Sequence, residues 1–393
     1  MIVSRAVLIS TDGHATASRE GYTEYIATEW RSEYREFVKA NAGTTEGLNA
    51  HPRIDEAVNW DSELRLRGLE AEGCVAEVIY PNALPFGYAA EGFEPGPGAH
   101  ERQRATASMR AYNDWLANFC AAAPTRRAGM AVVLLDDVDE AIALARSAAA
   151  NGLKGVMLPG PGGDPWYFDD RLDPFWAVCE ELGLVLVQHA AGILPRPVPK
   201  GYAALMTIAL ENDFFAGRSM WQMMLGGVFD RFPGLRFVIA EGGASWIPQR
   251  LDEIDALVAR TSSWSEFADH IGRTSTMQRS AHEYWKSNCW VGASFMSPYD
   301  ARRRHEIGID KLMFGIDYPH FESTTGRTKR WIQSTLGMAG ATADELTSVL
   351  SENAATVFGF DLAQLQNVAD AVGFDTAELL AAPEKPIRDF RVA

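Results

Sequence analysis

The chain has 393 residues, of which 47% are hydrophobic and 22% charged, with a net charge of −16. A chain this long can bury a large core, so folding needs no stapling disulfide or metal. The acidic balance argues against DNA, RNA or an anionic membrane as a partner, because phosphate binding needs a basic face; a small-molecule substrate is the expectation.

The opening run MIVSRAVLISTDGH is too short an apolar stretch for a signal peptide, and no segment holds 18 uninterrupted apolar residues. The four cysteines, Cys74, Cys120, Cys179 and Cys289, are scattered through apolar stretches without a C-x-x-C pair. They read as reduced core residues of a cytoplasmic protein.

In chain order, residues 5–11 predict a first strand, followed by a long excursion over 15–73 that holds the charged stretch YTEYIATEWRSEYREFVK. Residues 74–80 predict the second strand, 101–121 a helix, 128–135 the third strand and 137–150 a helix. The fourth strand falls at 155–158, a helix at 174–182, the fifth strand at 184–188 and the sixth at 235–240. A helix over 246–260, strands at 288–293 and 312–316, a helix over 341–358 and a tail over 361–393 complete the pattern. Continuous Val/Ile/Leu runs suit parallel strands covered on both faces. Their alternation with helices predicts an α/β fold, a TIM-like (β/α)8 barrel over residues 1–360, with a doubly wound sheet as the alternative.

Connections entering strands are short and carry glycine (Gly152, Gly183, Gly234, Gly308), as helix C-caps do. Connections leaving strands are long and irregular, including the whole run from His189 to Gly217. Long loops gathered at the C-terminal ends of barrel strands are where a pocket is built.

Several histidines and acids stand just past predicted strand ends: Asp12 and His14 after the first, His189 after the fifth, Glu241 after the sixth, and Asp317 and His320 after the eighth. A barrel points these ends at one face. Asp12 and His14 are two apart on an extended segment and share a side. Each alone has an ordinary structural reading, as a helix N-cap or a hydrogen-bonded histidine. Together, Asp12, His14, His189 and Asp317 make a donor set for a divalent metal. Other chemistries lack their motifs. There is no G-x-x-x-x-G-K-[ST], no G-x-G-x-x-G after a strand and no H-E-x-x-H, and Gly242-Gly243-Ala244-Ser245-Trp246 misses the G-x-S-x-G spacing. Arg302-Arg303-Arg304 reads as a solvated helix face.

The segments Asp12-Gly13-His14, GLKGVMLPGP (152–161), DPFWAVCEELGLVLVQHAAG (173–192), GGVFDRFPGLRFVIAEGGASWIPQRLDEID (226–255) and MFGIDYPHFEST (313–324) together resemble the amidohydrolase-related branch of the amidohydrolase superfamily. That branch contains the aminocarboxymuconate-semialdehyde and resorcylate-type decarboxylases. The resemblance implies a distorted (β/α)8 barrel with a divalent ion (Zn, Mn or Fe) on Asp12, His14, His189 and Asp317. It departs from the family at two points: D-x-H replaces H-x-H or E-x-H, and Glu241 stands where the decarboxylases place a catalytic histidine. Strand four ends Met157-Leu158-Pro159 without a lysine, so a second metal, if bound, would fall near Glu241 with His320 close by. Relatives commonly form homodimers, and an excursion such as 15–73 often serves as the interface.

The Glu241 departure favours hydrolysis of an ester, thioester or amide. Asp317 would be the general base, and Glu241 or His320 would pass a proton to the leaving group. The alternative is non-oxidative decarboxylation of an aromatic or unsaturated acid, with Asp317 protonating carbon; a binding protein that merely kept the barrel is a third reading. For the pocket, Tyr80, Phe86, Tyr88, Trp166, Tyr167, Leu205, Met206 and Phe214 are the expected apolar lining. Arg196, Lys200 and Arg218 are the expected anchors for an anionic group such as that of a coenzyme A thioester.

Overall fold

The computed structural model describes residues 5–42, 56–88, 98–189, 201–261 and 277–387. Eight predicted strands are present: β1 (Leu8–Ser10), β2 (Cys74–Pro81), β3 (Arg127–Val132), β4 (Gly155–Met157), β5 (Val185–His189), β6 (Arg236–Ala240), β7 (Cys289–Ser294) and β8 (Leu312–Gly315). Each pairs in parallel with the next, from β1 through to β8. A two-residue strand, His14–Ala15, carries β1 onward beside Tyr80 and Pro81. The ring is drawn together between β8 and β1, where Thr11 N–H donates to the Phe314 carbonyl (3.0 Å), Asp317 N–H to Asp12 (3.1 Å) and His14 N–H to Tyr318 (2.7 Å). The fold is therefore a nearly closed (β/α)8 barrel. Every residue of β2, β3, β5 and β7 is buried, which is why these strands read as unbroken apolar runs.

Helices cover the outside, among them α1 (Arg31–Ala40), α2 (Ser62–Ala71), α3 (Ala99–Ala121), α4 (Val138–Ala150), α5 (Asp173–Glu181), α6 (Tyr202–Leu225) and α7 (Ile247–Thr261). Asp61 and Asp137 cap α2 and α4, accepting from backbone N–H groups of the first turn. Gly152, Gly183 and Gly308 take positive φ as C-cap glycines do. Gly234 does not; its N–H donates to Glu180 Oε1 (2.6 Å), and a Cβ would meet that oxygen at 2.9 Å. α6 differs from the sequence expectation of an irregular connection. After Gly201 the chain runs 24 residues with no proline and one glycine, and the local preference for helix prevails.

The excursion contributes α1 and α2. Beyond residue 360, helices Leu362–Val372 and Thr376–Leu380 fold back on the start of β1, where Ala6 N–H donates to the Phe374 carbonyl (2.9 Å). All four cysteines are buried free thiols. Arg304 is buried rather than solvated, because its guanidinium reaches Glu345 (3.0 Å) and the Ala301 carbonyl (3.1 Å). Among the described residues, no helix is long and apolar enough to cross a membrane.

Candidate functional site

Strand ends bring Asp12, His14, His189 and Asp317 together at the C-terminal mouth. His14 Nε2 lies 3.4 Å from both Asp12 Oδ1 and Asp317 Oδ1, and His189 Nε2 lies 3.3 Å from Asp12 Oδ1. All four side chains are buried. Asp12, His14 and His189 offer ligand atoms within 4.8 Å of one another.

Hydrogen bonds behind the histidine and carboxylate prepare the set for a cation. His14 Nδ1 sits 3.1 Å from the Pro81 carbonyl, an acceptor only, so Nδ1 carries the proton and Nε2 turns its lone pair inward. That Nε2, together with both Asp317 oxygens, is buried without a hydrogen-bond partner. Leaving such atoms unsatisfied is costly unless something binds them. With two imidazoles and two carboxylates, the donor set fits a divalent metal ion. Ser294, at the end of β7, donates to Asp12 Oδ2 and fixes the other face of that carboxylate.

Electrostatics separates the two aspartates. Burial opposes ionisation of Asp12, but the imidazoles of His14 and His189 beside it overcome burial and hold this carboxyl below its ordinary range. Burial pushes the Asp317 carboxyl well up, and the charges of Asp12, Glu241 and Glu322 push it further. Asp317 and Glu241 also share a backbone state: both have positive φ (56° and 53°), uncommon outside glycine, at the point where each strand turns into its loop.

Glu241 Oε2 lies 3.5 Å from His189 Nδ1, and its carbonyl accepts from Asn212 of α6 (3.1 Å). His320 stacks on His14 with ring centroids 4.0 Å apart, and its Nδ1 lies 2.9 Å from Asp317 Oδ1. Its Nε2 meets Asn82 Oδ1 at 2.7 Å. Tyr80 is fully buried, its ring 4.6 Å from that of His189, and its hydroxyl has no hydrogen-bond partner.

The other expected lining residues have partners of their own. Phe86 packs among Trp30, Tyr34 and Phe37 of the excursion. The Tyr88 hydroxyl joins Glu101 (3.0 Å) and Arg104 (2.8 Å) on α3. Trp166 is 44% exposed with Arg218 stacked over it at 5.0 Å, and Phe214 is half exposed on α6 beside Trp221. Tyr167 is buried against Trp176 and Met206 is half-buried on α6. Arg196 and Lys200 lie outside the described residues, as does the side chain of Leu205.

Sequence reading missed Ser294, Asn82, Glu322 and the fully buried pair Arg65–Glu77. Arg65 donates to the carbonyls of His14 (2.6 Å) and Tyr318 (3.1 Å) while its other edge is held by Glu77 (2.6 Å). Ser294 ends a predicted strand, which was a usable signal; Arg65 lies mid-helix in the excursion, where nothing in the pattern marks it.

A barrel with this metal-binding mouth defines the class, and the sequence gives the family: the amidohydrolase family model matches residues 75–360, and the chain belongs to that family. It is 30% identical over 279 residues to gamma-resorcylate decarboxylase of Rhodococcus jostii, covering 66% of this chain and 79% of that one. It is 26% identical over 283 residues to decarboxylase orsB of Emericella nidulans, covering 67% and 77%. Among solved structures, 5-carboxyvanillate decarboxylase LigW of Sphingomonas paucimobilis matches 90% of this chain and 99% of its own at TM-score 0.64 and 21% identity, a likeness of fold. A manganese-bound mutant of the 5-carboxyvanillate decarboxylase of Novosphingobium aromaticivorans matches 90% and 97% at TM-score 0.64 and 19% identity. These relatives overturn ester, thioester or amide hydrolysis as the leading expectation. They are decarboxylases, and Glu241 in place of a histidine does not outweigh them.

Proposed function

We propose that this enzyme is a metal-dependent, non-oxidative decarboxylase of an aromatic or unsaturated carboxylic acid. The observation that carries the reading is Asp317: a buried carboxyl with no hydrogen-bond partner, pushed toward its acid form by burial and by surrounding carboxylates, beside the metal-binding histidines. Asp12, His14, His189 and Asp317 would hold the ion, and the manganese of the structural relatives supports Mn alongside Zn or Fe. When bound, the ion supplies positive charge to the substrate carboxylate and its neighbouring oxygen.

In the reaction Asp317 gives its proton to the carbon that bears the carboxylate. The carbon–carbon bond then breaks, its electron pair returns to the unsaturated system and carbon dioxide leaves. His320, 2.9 Å from Asp317 Oδ1, is placed to return a proton to Asp317 from the mouth. It offers an imidazole beside Asp317, where the strand-six position offers Glu241. The Tyr80 hydroxyl is free to donate to a substrate oxygen.

The test is a panel of hydroxybenzoic and unsaturated acids with manganese-loaded protein, read by carbon dioxide release and by deuterium entering the product at the decarboxylated carbon in D2O. Asp317→Asn should abolish both. Turnover that releases an alcohol, thiol or amine without carbon dioxide would overturn the proposal.

A further inference from the structure

The loop after β8 holds an open cavity of about 430 Å3, lined by His320, Phe321, Ser323, Thr325, Arg327 and Arg330. That volume is in the range of small-molecule pockets, ~300–1,000 Å3. Acidic side chains outnumber basic ones in this chain, 52 to 36, so an arginine ordinarily finds a carboxylate. Arg102, Arg110, Arg171 and Arg231 do so, at 2.8, 2.6, 2.6 and 2.8 Å. Arg327 and Arg330 form no ion pair among the described residues, although they line one cavity.

An exposed arginine is ordinarily just hydrated, so Arg330 alone would say little. Arg327 says more. Its Nη2 donates to the carbonyls of Glu322 and Ser323, both at 3.0 Å, and its guanidinium lies 5.4 Å from the centroid of the Trp331 ring. These contacts fix the group, yet its Nε is shielded from water and has no hydrogen-bond partner. Leaving a charged donor unmade is costly unless a ligand accepts from it. The hydroxyls add a further donor. Ser323 Oγ and Thr325 Oγ1 meet at 2.6 Å, and Ser323 Oγ accepts from the Thr325 N–H (3.3 Å). Their mutual bond uses one of two hydroxyl hydrogens, so one O–H is left to donate whichever way that bond runs. The neighbouring carboxylates are engaged elsewhere. Glu72 accepts from the Gly326 N–H and the Thr328 hydroxyl, both at 2.7 Å, and Glu322 Oε1 lies 4.0 Å from His320 Nδ1.

We propose that Arg327 and Arg330, with the hydroxyls of Ser323 and Thr325, form an anion-binding site on the rim of the barrel that takes the carboxylate or phosphate group of a small organic acid. Two guanidinium groups and a hydroxyl supply donors only, which suits an oxyanion and excludes a cation. Phe321, 64% exposed at the same cavity, offers a ring face to the apolar body of the acid. The site uses none of the residues assigned to the metal. It goes beyond the decarboxylase reading and stands or falls without it.

The experiment is calorimetric titration of the metal-stripped full chain, at low ionic strength, with benzoate, phenyl phosphate and acetate. Stripping removes the ion that would draw an acid into the mouth, so binding reports the rim. The wild type should bind benzoate and phenyl phosphate saturably, one per chain, and the tighter of the two identifies the acid group as carboxylate or phosphate. Acetate, which leaves Phe321 uncovered, should bind about three- to tenfold more weakly than benzoate. Arg330→Gln should weaken both aromatic probes by about tenfold. Its Mn2+ uptake, unchanged from wild type, reports that the variant is folded. Arg146→Gln removes the same charge from α4, across the ring from β8, and should change affinity by less than about twofold because a distant charge is screened. No saturable binding of either aromatic probe, equal losses in Arg330→Gln and Arg146→Gln, or acetate bound as tightly as benzoate would overturn the proposal.

Discussion

Replacing Glu77 with glutamine should strike both the fold and the metal-binding mouth. Glu77 and Arg65 are completely buried; Arg65 Nε and Nη2 reach the carboxylate at 3.1 and 2.6 Å, and Arg127 Nε approaches it at 3.6 Å. One carboxylate therefore balances two guanidinium groups. At about 4 Å and an effective dielectric of ~20, each attraction is about 4 kcal/mol before desolvation is counted. Recovering the hydration of the lost carboxylate offsets part of this, and glutamine keeps an acceptor oxygen. Breaking such a pair costs about 3–5 kcal/mol, a large share of the ~5–15 kcal/mol that holds a typical protein folded. Arg65 also bonds the carbonyls of His14 and Tyr318, which lie on the segments that deliver His14 and Asp317. Metal affinity should accordingly fall by about ten- to a hundredfold. Urea unfolding of the stripped protein measures the first effect and Mn2+ titration the second. Arg65→Lys keeps the charge but cannot fork to both carbonyls, so it should lose metal affinity while keeping most of the stability. Stability of Glu77→Gln within about 0.5 kcal/mol of wild type would refute the reasoning.

Three other outcomes are expected. In Tyr80→Phe a buried hydroxyl without a partner disappears, so the free enzyme should gain roughly 1 kcal/mol while kcat/KM falls about three- to tenfold, read by thermal melting and turnover. Gly315→Ala places a Cβ 2.8 Å from that of Asp12 and against Ser294, so the variant should lose about 1–3 kcal/mol and bind metal weakly; normal metal affinity would show that the mouth yields. The pH dependence follows from Asp317, whose carboxyl is raised above its ordinary 3.8. The native stripped protein keeps a proton there that the unfolded chain releases, so its stability should decline as pH rises above ~4 toward the raised value. Asp12, held below its ordinary range, acts at lower pH, where its contribution is lost as pH falls.

What the sequence made legible and what it hid follow from how each residue does its work. Asp12, His14, His189 and Asp317 could be read because parallel strands place their ends by arithmetic: a buried apolar run has a recognisable stop, and the next polar residue lands at the mouth. Their meeting within a few ångströms is a consequence of closure, made by three backbone bonds between β8 and β1 that no local pattern encodes. α6 was hidden because Gly and Pro on its N-terminal side, in GILPRPVPKG, suggested that the irregular connection continued past residue 201. Phe86 and Tyr88 carried the right chemistry for a pocket. α1 and α3 claim them instead, through Tyr34, Phe37, Glu101 and Arg104. The excursion was therefore the part most easily misjudged. Its helix α2 brings Arg65 beneath His14 and Tyr318, and the turn before that helix brings Asn59 to Asn82 and so to His320. Residues that act by holding a carbonyl or choosing a tautomer have no spacing of their own. They become visible only once the atom they hold has been located.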